Sequence, residues 1–490
     1  MGIERFFNTV RKKTGYNVVR SALPREEGTH LFWDFNSCIH QVAACCTTDE
    51  EVVAGVLREV RKTKLQFPDC RNVYLAIDGV PSFGKMVEQR RRRVAGEVLR
   101  VAKNLVAKHY NVTPTPSFDR AKISPGTDFM ERLQTALRAE GTWVLSGFDE
   151  PGEGEKKIVY ALEATERGAG VRPVIISPDG DVVLLGLLLT NRFPSIRILR
   201  VTEEVFTVDL GEFRRILFQW LGLPDSEEVL RDVVVLWTVF GNDFVPRLRE
   251  VDTSKNFHKI LSVYRQAGGR LVLESGAVDW QVFARLVAGL LTMKRERPWR
   301  RSRGPAGEGY EGHLSDLERL SGPYLPPPAA KKEPSSAKRY CEGLQWIVNY
   351  YLYHDSSALT WYYEFEAPPS LGDLQAFLVQ QKPPDSRPLT NAPPQPFLNP
   401  LQQLLYICPF DVAERLVTTL GENERRAAET YNRKFNPRFD QLVKMDGKKV
   451  NIHKVLSCSS ASFFSKCYMP GQTPSYEEFL RRLAQVGMPA

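Results

Sequence analysis

The stretch VIISPDGDVVLLGLLL, residues 174–189, holds a strand, a turn and a helix in one short run. Val174, Ile175 and Ile176 are β-branched and suit a buried strand. Pro178 and Gly180 punctuate a turn, and the apolar run from Asp181 onward reads as a short helix following the strand. Two carboxylates, Asp179 and Asp181, stand in the turn just past the strand's C-terminal end.

Working outward, the same alternation recurs over the first 250 residues. Apolar or β-branched runs at 31–35, 73–77, 143–145 and 196–199 read as further strands. Helical patterns follow Asn36, cover about 84–108, open at Pro151, start at Asp181 and cover about 226–240. Strands alternating with helices predict an α/β fold, a mostly parallel sheet flanked by helices. Beyond it, residues 294–338 shift to Arg, Gly, Pro and Ser (RPWRRSRGPAGEG, YLPPPAAKKEPSSAK), which predicts a basic, Pro-rich flexible insertion. A second Pro-rich stretch, 366–400, separates an aromatic segment around Trp361 from a mainly helical C-terminal region packed on the core. The domain expectation is therefore 1–293, the insertion 294–338, and 339–490.

Composition limits the function classes. Hydrophobic residues make up 42% and charged residues 25% of 490, ordinary globular usage that excludes collagenous and wholly disordered chains. The longest apolar run, residues 182–189, is far short of the roughly 18 residues that cross a bilayer, so no membrane partner is expected. The N-terminal MGIERFF lacks a secretory apolar region, and the eight cysteines form no C-x-x-C pair. An intracellular, reducing setting follows as the expectation, cytoplasmic rather than nuclear, with no structural zinc. The net charge of +8 is concentrated: residues 85–93 carry +4 and 294–303 carry +5, leaving the remainder at −1. The second island reads as a solvated linker.

Acidic residues past strand ends are where open α/β sheets place ligands. Asp34 ends LFWDFN, Asp78 ends YLAIDG, Glu153 and Glu155 lie in PGEGE, Asp179 and Asp181 in SPDGD, and Asp243 in FGNDF. Taken singly, such an Asp is commonly a turn former or helix cap. Seven of them from five segments repel one another unless cations lie between them. Oxygen ligands select hard divalent ions, Mg²⁺ or Mn²⁺, and a pair of ions about 4 Å apart suits phosphodiester hydrolysis. Asp179 and Asp181, two apart in extended chain, point the same way. A helix starting at Pro151 would make the side chains of Glu153 and Glu155 diverge.

The basic run has its own geometry. At about 100° per residue from Lys85, Gln89 falls near 40°, Arg92 near −20° and Arg93 near 80°, on one face. Arg90 near about 140° and Arg91 near about 240° point elsewhere and read as solvated charges. A face of Lys, Gln and two Arg offers donors suited to a terminal phosphate.

These residues carry a family resemblance. Through MGIERFF, LFWDFNSCIHQ, IDGVPSFGKMVEQRRRR, ISPGTDFMERL, SGFDEPGEGEKK, SPDGDVVLLGL and FGNDFVPRL the chain resembles the Xrn-type 5′→3′ exoribonucleases. CEGLQWIVNYYLYHDSSALTWYYEFEAPPSLGDL is similar to that family's second conserved region, and FDQLVKMDGKKVNIHKVL to its closing piece. The resemblance implies a PIN- and flap-nuclease-like core, and two-metal hydrolysis of single-stranded RNA from a 5′-monophosphate end, releasing nucleoside 5′-monophosphates. It assigns the seven carboxylates to metal binding and catalysis, Lys85, Gln89, Arg92 and Arg93 to the 5′-phosphate, and His40 and Trp361 to stacking on the terminal base. The sequence departs from the family pattern at Lys156, where His is usual, at Leu359, where Trp is usual, and in a shortened EFEAP. A compact core without the family's C-terminal extensions is expected. A flap-type DNA nuclease and a nuclease-inactive RNA-binding scaffold are the alternatives; the first lacks a clear helix-hairpin-helix trace, and the second would require lost carboxylates.

Overall fold

The structure is a computed structural model. It describes residues 6–293, 309–320, 335–380, 398–416, 422–436, 473–489 and the strand pair 444–445 and 448–449, save for 16–17, 21–26, 114–115, 167–169, 202–204, 249, 355–358 and 366.

Seven strands form one sheet: β1 (Val19–Arg20), β2 (Thr29–Asp34), β3 (Asn72–Ala76), β4 (Val144–Ser146), β5 (Arg172–Ile176), β6 (Arg197–Val201) and β7 (Val205–Asp209), in spatial order β1-β7-β6-β5-β2-β3-β4. The five strands β2 to β6 are mutually parallel, as the alternation predicts. The structure adds β7, antiparallel to β6, and β1 on its outer edge. An antiparallel return needs only a short connection and no intervening helix, so it breaks the strand–helix rhythm that reveals the others.

Period-2 alternation assigns each strand to two cores. Leu31 and Trp33, Val73 and Leu75, and Val174 and Ile176 face one core, while Phe32, Ala76 and Ile175 face the other. The helices are α1 (Phe6–Thr14), α2 (Asn36–Ala43), α3 (Asp49–Gln66), α4 (Phe83–His109), α5 (Asp128–Glu140), α6 (Gly154–Ala164), α7 (Asp181–Leu188), α8 (Leu210–Leu221), α9 (Glu227–Thr238), α10 (Thr253–Ala267) and α11 (Trp280–Leu291). They continue with α12 (Gly309–Leu320), α13 (Ser335–Leu352), α14 (Leu371–Gln380), α15 (Pro400–Ile407), α16 (Phe410–Leu416), α17 (Glu422–Phe435) and α18 (Tyr476–Ala484). Helices α2, α3 and α5 cover the first face; α6 to α11, α13 and α14 build the larger core on the second.

The start of α4 and helices α15 to α18 share a third apolar cluster, containing Phe83, Met86, Val87, Leu405, Tyr406, Tyr431 and Phe479. The C-terminal helical region is therefore packed on the nuclease half through α4. The insertion expected at 294–338 is not unstructured throughout. Residues 309–320 form α12, which packs on α4, with Tyr110 Oη and His313 Nδ1 3.0 Å apart. The rest of that insertion up to 334, with its basic island 294–303, lies outside the described residues.

Candidate active site

The C-terminal ends of the parallel strands are levelled by backbone bonds. Phe35 N donates to Ala76 O at 2.9 Å, Ile77 N to Ser146 O at 2.9 Å, and Ser177 N to Leu199 O at 3.1 Å. Asp34, Asp78 and Asp179 leave the sheet along this one edge. Gly154, the first residue of α6, fits between two of them. Its amide donates to Asp78 Oδ1 at 2.7 Å, and a Cβ there would lie 3.2 Å from Asp34 Oδ1 and 3.3 Å from Asp78 Oδ1. The helix N-terminus and the absent side chain thus let both carboxylates crowd one point.

Helix α6 does not open at Pro151. Gly152 takes a φ of +104°, accepts from Gly79 N and donates to Val80 O, both at 2.9 Å, so the Pro-Gly pair bridges to the segment after β3. Glu153 becomes the extended N-cap residue. Glu155 follows on the first turn, and burial, then the Glu153 charge, raises its pKa. Burial and then the Asp78 charge push Asp34 up to about 7, against the hydrogen bond from Ser177 Oγ at 2.9 Å. Burial raises Asp78 as well. Asp181, on the first turn of α7, is buried, and its amide donates to Asp179 Oδ1 at 3.4 Å.

Asp243 comes from the turn after α9, not from a strand end. There Asn242 Oδ1 accepts from Phe244 N and Val245 N at 2.8 and 2.9 Å. Lys85 Nζ lies 2.6 Å from Asp243 Oδ2 and 2.5 Å from Glu153 Oε2, and Arg92 lies 3.6 Å from the same Asp243 oxygen. Against its burial, Lys85 and Arg92 hold the Asp243 carboxyl well below the usual range. Among the described residues no three acidic, His or Cys side chains enclose an ion as they stand, and Lys85 holds two of the acids. The donor set nevertheless fits hard cations. It is all oxygen and carries more negative charge than Lys85 and Arg92 balance, and burial, the largest cause, raises the pKa of Asp34, Asp78 and Glu155, with neighbouring carboxylates adding to it.

Helix α4 carries the basic face. Arg92 pairs with Glu88, Arg93 donates to Ser124 Oγ, and Gln89 Oε1 accepts from Gln403 Nε2 at 2.9 Å. Arg90 is a correction. It is buried, donates to Tyr406 O and lies over the Tyr406 ring at 5.6 Å, so it anchors α4 to α15 instead of being solvated.

His40 projects from α2 with an accessible ring. Surrounding protein, then the charges of Arg93, Arg120 and Arg92, lower its pKa to about 4, so it is neutral at neutral pH. Trp361 is half-buried, stacks on Trp346 at 5.4 Å and 25°, and carries the Arg339 guanidinium 5.3 Å over its ring. Its carbonyl would lie 3.0 Å from a Cβ at Gly84, at the start of α4. Trp361 thus borders the start of α4, and among the described residues no ring contact joins it to His40. Leu359 contributes through its backbone: its carbonyl accepts from Phe83 N at 2.7 Å and caps α4.

Sequence reasoning gave no role to several supports. Tyr350 Oη, from α13, donates to Glu153 Oε1 at 3.0 Å. Lys156 is buried, donates to Tyr350 O at 2.6 Å and lies 3.0 Å from His354 Nδ1, whose Nε2 is 2.9 Å from Glu163. Burial lowers the Lys156 pKa to about 8. The departure from His at position 156 was the one signal that could have pointed to this network.

A mostly parallel sheet with an acidic C-terminal edge and flanking helices defines a PIN-like nuclease architecture. The model of the XRN 5′-3′ exonuclease N-terminus matches residues 1–202, and that of the Xrn1 helical domain matches residues 328–454. With both modules present in order, the chain belongs to the Xrn-type 5′-3′ exonuclease family. It is 26% identical to 5′-3′ exoribonuclease 1 of Saccharomyces cerevisiae over 54% of this chain and 21% of that protein. It is 22% identical to 5′-3′ exoribonuclease 1 of Homo sapiens over 60% and 20%, and 25% identical to 5′-3′ exoribonuclease 2 of Kluyveromyces lactis over 49% and 32%. The matches span only about a fifth to a third of these relatives' lengths. The Xrn nucleases are generally metal-dependent. Among the described residues no helix is long and apolar enough to cross a membrane.

Proposed function

We propose that this chain is a 5′→3′ exoribonuclease that hydrolyses single-stranded RNA bearing a 5′-monophosphate and releases nucleoside 5′-monophosphates. The observation that carries the reading is the meeting of two features at one sheet edge: crowded carboxylates of raised pKa, and the basic face of α4 that reaches them through Lys85 and Arg92. Relatives named 5′-3′ exoribonuclease support the same activity. The six described cysteines, all unpaired, favour an intracellular, reducing setting, and the cytoplasm is proposed over the nucleus.

Asp34, Asp78, Glu153, Glu155, Asp179, Asp181 and Asp243 are the residues that would hold the metal. Two Mg²⁺ or Mn²⁺ ions, when bound there, supply the activation of a water and the stabilisation of the leaving oxygen. Lys85, Gln89, Arg92 and Arg93 grip the terminal phosphate and so set which phosphodiester lies at the acidic edge. A cap or triphosphate fits this grip poorly. His40 and Trp361 supply apolar faces for the terminal base, a contact that tolerates any sequence and needs unpaired RNA.

The test incubates wild type and Asp179→Ala with Mg²⁺ and matched single-stranded RNAs carrying 5′-monophosphate, 5′-hydroxyl or 5′-triphosphate, beside the corresponding DNA. The expected result is mononucleotide release from the monophosphate RNA by wild type alone. Equal degradation of all three RNAs, or activity surviving Asp179→Ala, sinks the reading. Arg92→Ala is expected to lower the monophosphate preference by roughly ten- to a hundredfold, the worth of a charge-assisted hydrogen bond.

A further inference from the structure

Helix α4 presents Gln89 on the same face as three cations, and a glutamine is the one member of that face whose chemistry depends on which way it is turned. Its amide carries an acceptor oxygen and a two-hydrogen donor at opposite corners. Facing a phosphate, the donor attracts and the oxygen repels. Something has to fix the amide for Gln89 to assist Lys85, Arg92 and Arg93.

Gln403 sits behind it on α15, 1% exposed, with its Nε2 donating to Gln89 Oε1 at 2.9 Å. No other hydrogen bond of the Gln89 amide is found among the described residues, so Gln89 Nε2 remains for a ligand. Gln403 Oε1 is buried without a hydrogen-bond partner. That orphan argues for the observed sense of the bond: the reverse would strand the Gln403 amino group in the interior, and buried N–H donors are left unpaired more rarely than carbonyl oxygens. Helix α15 is itself rigidly held. Asn399 and Gln402 form a capping box at its start, Gln402 Nε2 donates to Pro489 O at 2.7 Å, and Asn436 Nδ2 donates to Leu405 O at 3.2 Å.

We propose that Gln403 is a positioning residue for 5′-phosphate recognition: it accepts nothing from the substrate and touches none of it, but turns the Gln89 amide so that its N–H groups face the terminal phosphate. The C-terminal helical region thereby takes part in choosing the RNA end, a task for which sequence reasoning credited α4 alone. The inference rests on the phosphate-binding reading of α4 given above.

The experiment measures kcat/KM for 5′-monophosphate and 5′-hydroxyl RNA with Mg²⁺ for wild type, Gln403→Met, Gln89→Ala and the double variant, with thermal melting of each. A wild type with no monophosphate preference refutes the parent reading before any variant is considered. Given that preference, Gln403→Met, which keeps the volume and removes the donor, is expected to lower the monophosphate-to-hydroxyl ratio about three- to tenfold, the worth of one neutral hydrogen bond. The hydroxyl rate should hold within about twofold, and Gln403→Met should add nothing further in the Gln89→Ala background. A ratio that is unchanged or raised, a parallel fall on both substrates, or additive losses in the double variant overturns the proposal. If Gln403→Met does not fold, Gln403→Leu carries the same test.

Discussion

The α/β half and the helical half meet at one site but supply it differently. Every one of the seven carboxylates and every side chain proposed to face the phosphate lies at or before residue 243. Among the described residues the helical half adds no acid to the edge, yet it touches nearly every element that matters: Tyr350 on Glu153, Leu359 on the first amide of α4, Gln403 on Gln89, and Tyr406 under Arg90. On the proposed function, the first half provides groups that act, and the second provides groups that hold them still. Acting groups pay for their crowding in stability, and holding groups return it.

The largest expected effect breaks that comparison on the acting side. Asp34→Asn keeps the size of the side chain and an acceptor for Ser177, and removes a charge that burial and Asp78 resist. Hydrolysis of monophosphate RNA should fall by about a thousandfold or more, several kcal/mol of lost metal-borne stabilisation. The metal-free protein should become more stable, by on the order of 2 kcal/mol at pH 8. The sign follows from the raised pKa. With the folded group near 7 and the unfolded group near its ordinary value, ionisation costs stability as pH climbs between them. The gain of the variant over wild type should therefore grow from about pH 4 to pH 7 and vanish below that window. Melting curves in EDTA across pH 4 to 8 decide it. A variant less stable than wild type at pH 8 would mean that Asp34 is a structural partner, not a strained ligand.

The contrast between halves also explains what could be read from the sequence. Strand ends are local features: apolar or β-branched runs followed by an acid announced Asp34, Asp78 and Asp179, and a 3.6-residue period grouped Lys85, Gln89, Arg92 and Arg93. Holding contacts are made across long separations. Arg90 meets Tyr406 at a separation of 316 residues and Tyr350 meets Glu153 at 197, and no period in the chain links such pairs. Local rules failed in one instructive place. Pro151 has the sequence signature of a helix start, but the amide and carbonyl of Gly152 bond to residues 80 and 79, so α6 begins at Gly154 with Glu153 as its N-cap. Tertiary pairing outweighed a local preference there.

On the holding side, Tyr350→Phe removes one hydroxyl and leaves the ring, which packs against Trp346 at 4.8 Å. Glu153 then loses the partner of one oxygen while Lys85 retains the other. The Mg²⁺ concentration for half-maximal cleavage should rise about ten- to a hundredfold, as for other outer partners of metal ligands. Calorimetric titration of the metal-free protein with Mn²⁺ gives the same answer without turnover. An unchanged metal requirement would reduce Tyr350 to packing.

Arg90→Met is a smaller change of pure support. It strands Tyr406 O in the third core and removes the cation over the Tyr406 ring. The expected loss is about 1.5 kcal/mol, roughly tenfold in the folding equilibrium, read by urea denaturation. Arg91→Met, one residue on and only partly buried, should cost less. Equal costs would dissolve the division of the arginine run into an anchor and its neighbours.

The smallest expected effect concerns His40, which belongs to the acting half but acts by shape. Crowding and three arginines hold its pKa near 4, so at neutral pH it offers a ring without charge. His40→Phe should keep affinity for monophosphate RNA within about threefold, whereas His40→Ala should lose roughly fivefold or more, the lower end of one base stack. The pH response separates the two readings of the residue further. Because its folded pKa lies below the unfolded value of about 6.5, His40 supports the fold fully above that value and withdraws support as pH falls toward 4. His40→Phe should flatten that part of the stability profile while leaving RNA affinity at pH 7 nearly intact. Should the Phe variant bind as poorly as Ala, the imidazole nitrogens and not the ring face would be what RNA meets, and the stacking assignment would pass to Trp361 alone.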